Sequence, residues 1–137
     1  MPKIGARITD QTAEFLRSTF GSVNAGGEYI AAAFPSLYQR TIRDMRGLFA
    51  AEELSLMIDG HNGTILNPSM AGQHLEISVR DSMELDGTDK KWGVDRKALM
   101  DRIRPLSLFG RACLEIWACA YWSSGSGDLG EYIASML

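Results

Sequence analysis

The stretch "KIGARIT" at residues 3–9 decides how this chain is first read. Ile4, Ala6 and Ile8 alternate with Lys3, Gly5 and Arg7, which is the two-residue period of a β-strand with one apolar face. The remainder of the sequence offers no convincing partner strand. A lone strand leaves its backbone groups unpaired unless another chain supplies the ladder. The expectation is a two-stranded ribbon formed between two copies, with Ile4, Ala6 and Ile8 in the dimer core.

Beyond residue 9 the pattern turns helical. Thr9 is placed as an N-cap with Asp10 in the first turn, and Thr12, Phe15, Leu16, Thr19 and Phe20 recur at helical spacing up to Gly21. A second helix starts at Ser22 or Asn24 and puts Ile30, Phe34, Leu37, Tyr38, Ile42, Met45 and Phe49 on one stripe. Ile30 and Phe34 of that stripe join the expected dimer core. Pro35 lies within it, so either a kink or a break with restart is expected there. Ala51, Leu54, Met57 and Ile58 mark a third helix ending at the turn "DGHNG" (59–63). Residues 75–80, "LEISVR", alternate like a strand. Leu75, Val79 and Met83 also fit a helix running from Pro68 to Asp86-Gly87, which is the favoured reading. Asp95 caps a segment that ends before Pro105. Ser107 caps the apolar run "LFGRACLEIWACAYW", expected to be the most buried helix of this part. "SSGSG" (123–127) reads as a joint before a short terminal segment. The fold class is therefore mainly α: one N-terminal strand followed by about six to seven helices. Residues 1–48 form a dimerisation and DNA-binding region, and 49–137 a helical region packed on it or continuous with it.

Composition narrows the function. The 137 residues suit one ordinary domain, and the formal charge is −3. Residues 1–50 carry six Lys/Arg against four Asp/Glu, whereas 51–92 carry three against eight. Overall acidity argues against indiscriminate nucleic-acid binding, while a local basic surface stays available. Cys113 and Cys119, six apart in an apolar run, read as buried thiols of a reducing compartment and form neither a disulfide nor a metal pair. No secretory pattern opens the chain, and no apolar run approaches eighteen residues, so a cytoplasmic protein with no membrane span is expected.

The segments "ARIT" (6–9) and "GSVNAGGEYI" (21–30), each opening a helix, resemble the ribbon-helix-helix repressors, the family of the Arc and Met repressors. The resemblance covers about the first third of the chain. It implies a homodimer whose paired strands enter the major groove of double-stranded DNA while the N-terminus of the second helix holds a phosphate. On this chain Lys3, Gly5 and Arg7 would face DNA, with Arg7 suited to a guanine edge. Ser22, Val23 and Asn24 would anchor phosphate. Gly5 leaves two long readers per chain, and Gly26 and Gly27 each cost the second helix about 1 kcal/mol relative to alanine. The stretches "LSLMIDGHNGTILNPSMAGQHL", "LDGTDKKWGVD" and "ACLEIWACAYW" are similar to a group of bacterial proteins found in prophages and other mobile elements, which implies a bacterial, cytoplasmic protein.

Catalytic patterns are missing from the sequence. His61 and His74 sit in no metal-ligand spacing, and His61 falls in an Asn-Gly turn whose polar residues suit turn chemistry. Met83 and Leu85 interrupt the ligand positions that a calcium loop would need among Asp81, Glu84, Asp86 and Asp89. The tryptophans at helical spacing read as core. No enzyme, metal or cofactor is expected. The leading expectation is a dimeric DNA-binding transcriptional regulator. The alternative is a non-enzymatic protein-interaction or inhibitor module whose acidic surface (Glu76, Asp81, Glu84, Asp86, Asp89) meets a basic protein partner.

Overall fold

The computed structural model describes residues 8–86, 88–125 and 127–137. Eight α-helices occur among them: α1 (Asp10–Phe20), α2 (Val23–Asp44), α3 (Ala51–Gly60), α4 (His74–Asp86), α5 (Thr88–Trp92), α6 (Arg96–Ile103), α7 (Leu108–Ser124) and α8 (Leu129–Ala134). A single 3₁₀ turn spans Pro68–Met70. No described residue is in a strand, which corrects the expected β-strand and with it the ribbon-helix-helix assignment. Lys3, Ile4, Gly5, Ala6 and Arg7 lie outside the described residues. Ile8 and Thr9 do not continue a strand: Thr9 is extended, and its side chain accepts the Thr12 N–H as the cap of α1. Helices satisfy their backbone groups locally, so the described chain needs no second copy to complete a ladder.

The chain divides into two compact units, one ending at Arg40 and the other spanning Thr41–Leu137. In the first unit α1 ends with the Gly21 N–H bonded to Arg17 O, and Ser22 Oγ accepts the Ala25 N–H at the start of α2. Leu16 is buried at this hairpin. Gly26 permits the close approach: a Cβ there would lie 2.7 Å from Leu16 Cδ2 and 2.8 Å from Phe20 Cδ2. Phe20 packs on Tyr29 with ring centroids 5.5 Å apart. Pro35 does not break α2, which runs unbroken from Val23 to Asp44.

The second unit is organised around α3, whose residues Glu53, Leu54, Ser55, Leu56, Met57 and Ile58 are all buried. This helix, not α7, is the more enclosed, because it packs against α4, α5, α7 and α8. Leu75 and Val79 of α4, Leu99 and Ile103 of α6, and Leu114 and Trp117 of α7 complete the core. Ile133 and Met136 close it from the C-terminal end, where Met136 O accepts the Gly47 N–H.

Polar groups fix how these helices meet. Glu53 reaches back to accept the Ala50 N–H at the start of α3 and pairs with Arg102 of α6. Asp59 Oδ2 accepts both Trp92 Nε1 at 2.9 Å and Lys91 Nζ at 3.0 Å from α5. Trp122 Nε1 donates to Ile58 O, and the Tyr132 hydroxyl donates to Trp117 O while its ring stacks on Trp117. Burial pushes the Tyr132 phenol up to about 12, in keeping with a lasting donor.

The segment from Pro68 onward is helical as the apolar spacing favoured, but interrupted. Gly72 has φ +84, and a Cβ on it would meet Leu108 O at 2.7 Å, so the 3₁₀ turn stops and α4 restarts at His74. The restart is capped from afar. Glu115 of α7, 2 % exposed, accepts the Gly72 N–H at 3.1 Å and the Leu75 N–H at 2.9 Å through its two carboxylate oxygens. A carboxylate at a helix N-terminus also opposes the helix dipole favourably. Glu115→Gln replaces one acceptor oxygen by a donor facing another donor. Unfolding in urea is expected to show a loss of about 2–3 kcal/mol.

His61 is buried rather than displayed in its turn: it is 1 % exposed, and its Nδ1 lies 2.7 Å from Met57 O, to which it donates. Its Nε2 has no hydrogen-bond partner among the described residues. Burial lowers its pKa below the ordinary 6.5, outweighing the raising effects of the Met57 carbonyl and the Glu115 charge. The unfolded chain therefore binds the extra proton first as pH falls. His61's contribution to stability is complete above about pH 6.5 and is lost progressively below it. Urea unfolding at about pH 7.5 and 5.5 is expected to show a stability drop that shrinks in His61→Gln, whose side chain does not titrate in this range.

Candidate functional site: an apolar groove on the N-terminal hairpin

The helical spacing in α1 puts Thr12, Phe15 and Leu16 on one face, and that of α2 brings Gly27, Ile30 and Ala31 to face them. With Ile8 at the entrance these residues line a groove of about 390 Å³ without a charged side chain. Several lining side chains remain open to solvent: Phe15 is 54 % exposed, Ile30 44 % and Ile8 43 %. Nearby on the same unit Tyr29 and Leu37 are also exposed. Scattered apolar residues on a surface need no explanation, whereas a contiguous apolar groove marks an interaction site.

Of the expected dimer-core residues, Ile8 and Ile30 meet at this groove, and Phe34 stacks on Tyr38 with centroids 6.1 Å apart. Ile4 and Ala6 lie outside the described residues. Phe15, Leu16, Gly27 and Ala31 were not anticipated as a surface. Their signal was present, since Phe15 and Leu16 belong to the α1 stripe and Gly27 puts no side chain into the groove. Among the expected phosphate anchors, Ser22 caps α2, and the Asn24 side-chain amide donates to Glu28 Oε1 at 3.2 Å. The first amides of a helix have no intrahelical acceptor, and Ser22 takes only that of Ala25. Lys3, Gly5 and Arg7 are beyond the described residues.

Other candidates are engaged in the fold. His74 Nε2 accepts the Asn67 N–H at 2.9 Å. Cys113 is buried, and burial raises the pKa of its thiol as it does that of the half-buried Cys119. Among the described residues no cluster of three His, Cys, Asp or Glu forms a metal cage. In the acidic segment, Glu76 pairs with Arg104 and lies 3.9 Å from Arg111. The side chains of Asp81, Glu84, Asp86 and Asp89 are outside the described set. No described helix is long and apolar enough to cross a membrane. Compared with family models, curated proteins and solved structures, the chain matches none.

Proposed function

We propose that the chain is a non-enzymatic, homodimeric DNA-binding regulator whose N-terminal hairpin pairs with the same hairpin of a second copy. The observation that carries the reading is the apolar groove. Phe15, Ile30 and Ala31 of its lining are open to solvent, and Gly27 adds no side chain to it. A two-fold contact sets one patch against an identical one, a role that an uncharged apolar groove suits. The uncharged lining suits burial against an identical surface, because no like charges are brought together.

DNA contact follows from what the dimer would duplicate. Each copy presents the start of α2, where the Val23 and Asn24 amides and the helix dipole favour a phosphate. The basic balance of residues 1–50, six Lys/Arg against four Asp/Glu, supports the same partner. Two such ends related by a two-fold axis match the two-fold symmetry of a palindromic duplex.

Ile30→Asp is expected to convert the dimer to a folded monomer in light scattering, with little change in melting temperature because Ile30 is half exposed. The same variant is expected to lose affinity for duplex DNA from the chain's own upstream region. Wild-type binding should fall steeply between about 50 and 200 mM salt. A monomeric wild type at tens of micromolar would sink the dimer. A dimer that ignores DNA even at low salt would leave the groove as a dimer seam without a regulatory reading.

A further inference from the structure

A second concave surface lies in the C-terminal unit and has a different chemistry. Glu76 and Arg80 of α4, Arg96, Lys97 and Met100 of α6, and Arg104 just beyond it line a cavity of about 430 Å³. Four of these six side chains are cations and one is an anion. Arg96, Met100 and Arg104 recur four residues apart, so one face of α6 and its C-cap supplies half of the lining. We propose that this cavity binds a phosphate-bearing small molecule, an organic phosphate of nucleotide size. The inference does not depend on the DNA-binding reading.

Three features support it. Arg96 and Lys97 occupy the first turn of α6, next to the Asp95 cap that accepts the Ala98 N–H, and both side chains are exposed where they line the cavity. Glu76 accepts Arg104 Nε at 3.3 Å, which fixes one guanidinium at the cavity wall. Arg80 and Arg96 add two exposed guanidinium groups to the same lining, each able to take a phosphate oxygen bidentately. Met100, 8 % exposed, contributes an apolar surface for a non-phosphate part of the ligand.

The shape favours a small molecule over a duplex. Cavities of this volume fall in the range of small-molecule sites, whereas a DNA backbone is followed by charges spread along an extended surface. ADP is a suitable probe because it carries both a diphosphate and an apolar base. Titration calorimetry of the full chain at constant ionic strength is expected to show saturable ADP binding. Lys97→Ala should weaken it roughly tenfold while Lys97→Arg retains most of it. Lys97 is exposed, so melting temperatures of both variants should match wild type, with Lys97→Gln as a second neutral variant. Pyrophosphate should displace ADP and adenosine should not. No binding at about 1 mM ADP, or equal binding by Lys97→Ala, would overturn the proposal. So would displacement by adenosine alone, or Lys97-dependent binding of scrambled duplex DNA without affinity for ADP.

Discussion

The arrangement of the C-terminal unit depends on where one buried carboxylate goes. Glu115 sits on an otherwise apolar face of α7 and is nine-tenths and more removed from water. Its charge is tolerated because two backbone donors, Gly72 and Leu75, converge on it across the core. The same contact sets the start of α4, the orientation of Leu75 and Val79 toward the core, and the close passage of Gly72 over Leu108. An apolar residue at 115 would pack, but it would leave two amides without acceptors. A charge here ties together residues forty positions apart, which apolar packing alone does not specify.

The helices were legible where capping and periodicity agreed. Thr9, Asp95 and Ser107 each accept an N–H in the first turn of their helices, and Gly21 ends α1. Pro35 was ambiguous because its local effect competes with tertiary packing, and α2 passes through it as one helix. The strand reading of 3–9 rested on alternation over a short window, and no described residue takes part in a strand. His61 does lie in the turn after α3, but its burial was not legible there, because it depends on the packing of the core around it. Glu115 could not be found from local sequence, since its partners lie on a distant turn whose geometry exists only in the folded chain.

The two candidate surfaces show the same contrast. The hairpin groove follows from helical stripes that can be read along the chain, with Gly27 leaving one position without a side chain. The basic cavity joins residues of α4 and α6 that are sixteen to twenty-eight apart, and its charges look dispersed until the helices are packed. A chain with a net charge of −3 nevertheless gathers four cations at one place. Whole-chain charge therefore describes solubility better than it describes recognition.

All three tryptophans, Trp92, Trp117 and Trp122, lie in the unit from Thr41 onward. Trp117 stacks on Tyr132, and the other two donate their indole N–H groups to α3. The indole emission of this protein is accordingly a spectroscopic label for the C-terminal unit alone. The residues up to Arg40 contain no tryptophan, so a change in indole emission on denaturation reports the unfolding of the unit that begins at Thr41.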